Sequence, residues 1–374
     1  MVLAFLVLAA IIGMLGAWLL PVITDFHRAA HVHLAFALGV MPLIMGAMTH
    51  FVPVLTRTRA APRVVESFAL LAWIGGAMIV AFFIISLPEV FRSTASLLAL
   101  FACVGLAAWQ AMRAKEALGG AHPGLRWYLA ALVCLGMSLL AVFAMSIWPQ
   151  QILALKRLHL HLNLFGFVGI SAIGTMQVLL PTAAGHSDLQ AATRLRADLP
   201  AALGGAVLIA LGAAWLPLLS WLGLLAWMIP LSHLMHAWFT RYRTGIFRLH
   251  GATPLLAAAL AGFSITLVAG GMHGAGWLDS TGVAHLFVFA FLFPLISGAA
   301  GQLLPLWLLP GHQTDWHEHA RQRLTFAAGA RAALFLTAGL LAAAGFNWAS
   351  WLALAALLSF ALTAFSLLLD TRHP

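Results

Sequence analysis

Residues 31–53 read HVHLAFALGVMPLIMGAMTHFVP, an apolar stretch that begins with two histidines and is long enough to cross a lipid bilayer. Two later stretches align with it without gaps: HLHLNLFGFVGISAIGTMQVLLP at residues 159–181 and VAHLFVFAFLFPLISGAAGQLLP at residues 283–305. Counting from the second histidine position, each has a glycine 13 residues on and a proline 20 residues on. This self-similarity indicates an internal repeat whose copies begin 128 and then 124 residues apart.

The composition places the whole chain in a membrane. Of 374 residues, 63% are hydrophobic and 8% are charged, whereas about a quarter of the residues in a soluble domain are charged. Apolar runs of roughly 20 residues, each able to span the hydrocarbon core, occur at 1–22, 33–55, 66–86, 94–112, 127–147, 160–182, 200–219, 221–240, 253–272, 284–308, 325–345 and 348–369. The first run lacks a basic leading region and is expected to be a retained helix. The sequence therefore predicts an all-α integral membrane protein of twelve transmembrane helices.

The repeat spacing divides these spans into three pseudo-symmetric units of four, at approximately residues 1–125, 126–250 and 251–374 of a single transmembrane domain. The histidine-bearing helices are then the second, sixth and tenth. All three enter the bilayer from the same side, so their histidines are expected at one depth near one membrane face.

The basic residues predict the orientation. If the amino terminus is cytoplasmic, four cations face outward: Arg28, Arg92, Lys156 and Arg157. The other fifteen fall on the inside: Arg57, Arg59, Arg63, Arg113, Lys115, Arg126, Arg194, Arg196, Arg241, Arg243, Arg248, Arg321, Arg323, Arg331 and Arg372. This positive-inside asymmetry predicts a bacterial cytoplasmic (inner) membrane protein with both termini in the cytoplasm. It also explains the net charge of +9 without a nucleic-acid partner.

The acidic residues are expected at span ends and in loops, which leaves no proton relay at depth. The run containing His312, His317 and His319 is expected to be a solvated loop, with a weak metal site as the alternative.

A chain of twelve helices in three repeats, with histidines heading the second, sixth and tenth, resembles the catalytic subunit of the haem-copper oxidase superfamily. The stretch at 159–181 looks like the helix that bears a copper-ligand histidine in cbb-type oxidases. The stretch at 31–53 looks like that family's tenth helix, whose His-x-His motif binds both haems. A His-x-His second span followed by a proline at this distance is also similar to the NnrS family of haem-containing membrane proteins linked to nitric oxide stress.

The resemblance implies that His31 and His285 hold a low-spin haem b and that His161 corresponds to the copper histidine. Other positions depart from the superfamily pattern. Val283 stands where the proximal ligand of the oxygen-reducing haem is expected, and residues 198–219 lack the adjacent histidine pair of the seventh helix. An intact oxygen-reducing centre is therefore not expected, and bound copper stays open.

The chain's own pattern suggests a second haem. Two residues along an α-helix correspond to about 200° around its axis, so the members of a His-x-His pair face opposite sides and cannot chelate one metal together. If the first position of each pair faces the preceding repeat and the second faces the following one, His31 pairs with His285 and His33 pairs with His159. His161 would then lie opposite Val283. The first two pairs suit six-coordinate haem b. The alternatives for His161 are a five-coordinate haem, a weak copper site or no cofactor, and those for His33 and His159 include hydrogen bonds to each other or to water.

Arg28 and Arg157, with Lys156, are the cations near the heads of the second and sixth spans. They are candidates for pairing with haem propionates, and snorkelling to lipid phosphate is the alternative.

Together these features predict a haem b protein, NnrS-like, that transfers electrons or binds a diatomic gas such as nitric oxide without pumping protons. Its partners would be the lipid bilayer and a redox partner or the gas. The alternatives are a degenerate nitric oxide or oxygen reductase, and a haem or metal transporter that uses the histidines as transient ligands.

The predicted topology places Glu66 and Glu116 at the cytoplasmic ends of their spans, far from the histidines. Replacing either by glutamine is expected to leave haem content and the low-spin optical spectrum unchanged. The measurement is haem per polypeptide in purified variants and wild type. Loss of haem from a well-expressed variant would contradict the topology.

Overall fold

The computed structural model of the chain describes residues 2–23, 27–241, 243 and 251–370. The regular elements in these ranges are all helical, and twelve helices are long and apolar enough to cross a membrane. This confirms the predicted all-α transmembrane class. The helices are α1 (Val2–Ile23), α2 (Arg28–Thr56), α3 (Arg63–Ile85), α4 (Glu89–Glu116), α5 (Gly124–Ile147), α6 (Pro149–Ala183), α7 (Ala191–Ala214), α8 (Pro217–Arg241), α9 (Thr253–Gly274), α10 (Ser280–Leu308), α11 (Asp315–Ala343) and α12 (Ala349–Asp370).

The three repeat helices share a change of helix type that the sequence does not predict. In α2, α6 and α10 the α-helix widens into a π-helix at the residue after the second histidine position, and then returns to α. The π segments are Leu34–Val40, Leu162–Gly169 and Leu286–Leu292. Because π-helix is rare and occurs mainly at functional sites, its recurrence at equivalent positions supports the local equivalence of these three helices. The grouping of all twelve helices into three units of four stays a prediction.

The repeat glycines have a packing role. Each lies where its helix packs against the helix that precedes it in the sequence, so that an added Cβ would come within 3.0 Å of a side chain there. The distance would be 2.6 Å from Gly46 to Cδ1 of Leu6, 2.8 Å from Gly174 to Cβ of Trp127 and 3.0 Å from Gly298 to Cβ of Leu255. Small residues allow transmembrane helices to approach closely, which explains the glycine at this position of the repeat.

The chain folds into two compact units, each with its own core. The amino-terminal unit comprises Val2–Gly174 and Ala192–Ala226, and the carboxy-terminal unit comprises Thr175–Ala191 and Trp227–Pro374. In the amino-terminal unit, the π segment of α2 packs against α1 and α3, and that of α6 packs against α5. In the carboxy-terminal unit, the π segment of α10 packs against α9 and α11 and is entirely buried.

The boundary between α7 and α8 differs from the expectation. The spans predicted at 200–219 and 221–240 are instead α7, which ends at Ala214, and α8, which begins at Pro217. Proline fits the first turn of a helix because it lacks an N–H, and it disfavours helical geometry in the residue before it. Since α7 already begins at Ala191, Asp198 lies inside the span and is fully buried. The expectation that every acidic residue lies at a span end or in a loop is wrong for Asp198.

The start of α11 also differs, because the run expected to be a loop is a helix over Asp315–Leu324. His317 lies at its amino end and is fully buried. Its Nε2–H donates to the carbonyl of Leu309 (2.8 Å), and its Nδ1 accepts from the backbone N–H of Thr314 (3.0 Å). Both ring nitrogens of His317 are therefore used for capping, and the weak metal site considered for this run is not supported.

Arg331, expected in an inner loop, is buried within α11. Its guanidinium donates to the carbonyls of Leu324 (2.8 Å) and Phe326 and lies 5.6 Å from the centre of the Phe360 ring. A cation at the carboxyl end of a helix satisfies carbonyls that have no helical partner. Arg331 therefore joins the two halves of α11 and does not belong among the loop cations that set the orientation.

The close packing beside the π segment of α10 predicts a sharp difference between two glycines of α9. A Cβ at Gly262 would lie 1.9 Å from the carbonyl oxygen of Ala290, whereas a Cβ at Gly270 would meet no atom within 4 Å. Gly262→Ala is expected to destabilise the protein by about 1–3 kcal/mol, as overpacking does. Gly270→Ala is expected to be neutral or to stabilise by up to about 1 kcal/mol.

The measurement is the thermal unfolding midpoint of both variants and wild type in detergent. Equal midpoints for the two variants would contradict the close approach of α9 to the π segment.

Candidate functional site

Four of the five candidate histidines, His31, His33, His159 and His161, lie in the amino-terminal unit, and His285 lies in the carboxy-terminal unit. All five lie in the α-helical part of their helix, immediately before a π segment. The α geometry of these parts places the two members of each His-x-His pair on opposite sides of the helix.

The head of α2 positions His31 and His33. His27 caps this helix, because its Nδ1 accepts a hydrogen bond from the backbone N–H of Ala29 (3.1 Å). The Nδ1–H of His33 donates to the carbonyl of Ala29 (2.7 Å), and its ring lies 5.0 Å from that of Phe83 on α3. The Nδ1 of His31 is buried and makes no hydrogen bond within the described residues.

His159 is held by a polar cluster between α5 and α6. Its Nδ1–H donates to the carbonyl of Ser138 (3.0 Å), with the Ser138 hydroxyl oxygen 2.9 Å away. The side-chain amide of Asn163 donates to the Ser138 hydroxyl and to the carbonyl of His159 (2.8 Å). The Ser138 hydroxyl in turn donates to the same carbonyl (3.2 Å). The cluster therefore fixes both the orientation of the His159 ring and its tautomer.

The sequence predicts that His33 and His159 face one interface. They belong to different helices, α2 and α6, within one unit. That the two rings meet at that interface stays a prediction.

His161, two residues beyond His159, uses a different local bond. Its Nδ1–H donates to the carbonyl of Arg157 (2.8 Å), and its ring stacks on Phe165 with the ring centres 6.0 Å apart. Arg157 and Arg28 are exposed. Their proposed contacts, with haem propionates or with lipid phosphate, stay predictions.

His285 lies at the head of α10. Asp279 caps this helix by accepting from the backbone N–H of Thr281 (2.7 Å), and that hydrogen bond is the main reason that the pKa of Asp279 is lowered. The His285 ring stacks on Phe289 with the ring centres 5.3 Å apart and the planes 8° from parallel. Val283 lies two residues before His285, at the repeat position that His31 and His159 occupy in the other two helices.

The hydrogen bonds determine which nitrogen of each ring carries the hydrogen. A carbonyl oxygen can only accept, so His33, His159 and His161 carry their hydrogen on Nδ1, and in the neutral ring the lone pair is on Nε2. Histidines that bind metals are commonly held by such a bond from the other ring nitrogen. Within the described part of the chain, no three His, Cys, Asp or Glu side chains come together as a metal site.

Sequence reasoning missed the residues that hold these rings, namely Ser138, Asn163 and Phe83. The available signal was that Ser138 and Asn163 are polar residues inside apolar spans, where such residues are costly and usually have a partner. Asn163 also follows His159 by four residues and so shares its helix face.

Comparison of the sequence with models of known protein families and with curated proteins finds no match. Membership of the haem-copper oxidase superfamily therefore stays a prediction from the residues quoted above.

The bond between Ser138 and Asn163 predicts a measurable coupling. Ser138→Ala would leave the Asn163 amide without its hydroxyl acceptor, while Asn163→Leu in the same chain would remove that amide. We expect the double variant to be less destabilised than the sum of the single variants, by about 0.5–3 kcal/mol. The measurement is a double-mutant cycle on the free energy of unfolding in detergent.

A matched cycle pairs Asn163→Leu with Ser359→Ala, because the Ser359 hydroxyl donates only to Ala356 of its own helix. That cycle is expected to be additive. Additivity in the Ser138 cycle as well would disprove the proposed cluster around His159.

Proposed function

We propose that this protein is a membrane-embedded haem b protein, NnrS-like and of the haem-copper oxidase superfamily, that transfers electrons or binds nitric oxide without pumping protons. The observation that carries the proposal is the state of three candidate histidines. His33, His159 and His161 each donate Nδ1–H to a main-chain carbonyl, which puts the lone pair of the neutral ring on Nε2, a nitrogen through which histidine binds iron.

The bond to a carbonyl is not by itself specific, because His319 makes the same bond to Asp315 at the start of α11. The candidate histidines differ from His319 in their setting. They are partly buried in the membrane-spanning helices α2 and α6, whereas His319 is exposed, and these two helices share the α–π–α structure that α10 also has. This recurrence favours a shared ligand role over chance capping.

The residues present fit the chemistry of haem b. The resemblance assigns His31 and His285 as the ligands of a low-spin haem, and both rings lie at the head of a repeat helix beside its π segment. Haem bound by two imidazoles would supply a one-electron redox centre. The chain contributes the ligands, aromatic neighbours such as Phe289 and an apolar surrounding, all of which tune the potential of bound iron.

Whether His161 binds a haem distinguishes the two proposed roles, electron transfer and gas binding. A haem held by His161 alone would keep one face open for nitric oxide, whereas bis-histidine haem is saturated. The degenerate reductase needs this five-coordinate haem. A metal or haem transporter would instead bind its cargo reversibly.

Substitution of His285 tests the proposal. His285→Ala is expected to remove one low-spin haem from the optical and EPR spectra while the protein still inserts in the membrane. His273→Ala is the control, because His273 is exposed and its Nδ1–H donates to the carbonyl of Leu278 (2.9 Å), so haem should be unaffected. An unchanged low-spin spectrum in His285→Ala would rule out the ligand assignment, and colourless wild-type protein would rule out a resident haem.

A further inference from the structure

Three basic side chains, Arg57, His122 and Arg196, form a basic cluster at the ends of the spans, opposite the histidines that head α2 and α6. The loop between α4 and α5 is fastened to the end of α2, because the backbone N–H of His122 donates to the carbonyl of Leu55 (2.9 Å). In the same loop, a Cβ at Gly119 would lie 3.6 Å from a guanidinium nitrogen of Arg57. Arg57 and His122 are therefore brought together by backbone contacts.

Helix α7 brings the third member of the basic cluster to the same place. The indole N–H of Trp127, in the first turn of α5, donates to the carbonyl of Leu195 (2.8 Å), and Arg196 is the next residue of α7. The pKa of His122 is lowered by burial and then by the charges of Arg196 and Arg57, which agrees with this arrangement. All of these residues belong to the amino-terminal unit.

The basic cluster offers positive charge and hydrogen-bond donors. Arg57 and Arg196 are exposed, and neither guanidinium makes a hydrogen bond or ion pair with the described residues. The Nδ1 of His122 accepts from the backbone N–H two residues on (3.2 Å), so the neutral ring carries its hydrogen on Nε2 and can donate there. Glu116, which ends α4, is paired with Arg113 (2.9 Å). Two guanidiniums held beside a further donor favour an anion with several acceptor oxygens, such as a phosphate.

The level of the basic cluster and its apolar neighbours favour the phosphate of a lipid. Arg57 follows the last residue of one span and His122 lies two residues before the next, where the hydrocarbon core gives way to headgroups. Val54 and Leu118 flank the cluster and are 66% and 70% exposed, so they can contact acyl chains. We infer that the basic cluster binds the phosphate of an anionic phospholipid. This inference goes beyond the proposed function and does not depend on haem.

Lipid titration tests the inference. Native mass spectrometry of delipidated protein in a neutral detergent would give the affinities for dioleoylphosphatidylglycerol and for zwitterionic dioleoylphosphatidylcholine. Wild type is expected to prefer the phosphatidylglycerol. Arg57→Gln with Arg196→Gln should weaken its binding about 10- to 30-fold, because each arginine beside an anionic headgroup strengthens binding about fivefold. The control, Arg59→Gln with Arg63→Gln, removes the same charge from two exposed arginines and should keep the wild-type affinity.

Three outcomes would overturn the site: equal affinity of wild type for the two lipids, equal losses in the two double variants, or unchanged binding in Arg57→Gln with Arg196→Gln. Inorganic phosphate separates the two sources of the anion. Excess phosphate should not displace the lipid, and displacement would assign the basic cluster to a soluble anion and overturn the lipid assignment.

A second variant covers the case in which the double variant fails to fold. Leu118→Glu changes an exposed side chain, so the fold should tolerate it, and it adds a carboxylate to the loop beside Arg57. The carboxylate repels the lipid phosphate and competes for the guanidinium, so phosphatidylglycerol should bind more weakly than to wild type. Unchanged phosphatidylglycerol affinity in a folded Leu118→Glu variant would contradict the inference.

Discussion

The hydrogen-bond requirement of buried imidazole is the constraint on which the rest of this structure depends. In an apolar environment a ring N–H without an acceptor is costly, and for three of the candidate histidines the acceptor is a main-chain carbonyl. His33 and His161 use the carbonyl four residues earlier in their own helix, and His159 uses that of Ser138 on α5. The same bonds put the lone pair of each ring on Nε2, the nitrogen that the proposed function would need to bind iron.

Helix packing then sets where the imidazoles lie. The repeat glycines Gly46, Gly174 and Gly298 bring α2, α6 and α10 against the preceding helices, and a π segment follows the second histidine position in each. A π turn inserts one residue into the helix and rotates everything beyond it. The histidines at the head of each helix can therefore face an interface while the apolar remainder keeps its own packing.

Much of this fold could be predicted from sequence, because length and apolarity define a membrane span and the glycine and proline spacing marks the repeat. The π segments could not, since an apolar run such as 286–292 satisfies α and π geometry equally. The burial of Asp198 was missed because charge pattern placed the start of its helix too late. Ser138 was missed as a partner of His159 because the two residues meet only when α5 packs on α6.

The central claim is that paired neutral imidazoles in this membrane protein hold haem iron. The most direct measurement is the EPR spectrum of purified, fully oxidised wild-type protein, recorded together with its optical spectrum and an iron count per polypeptide. The account predicts low-spin ferric haem with two axial imidazoles, in an amount that matches the iron count. Colourless protein without stoichiometric iron would contradict it.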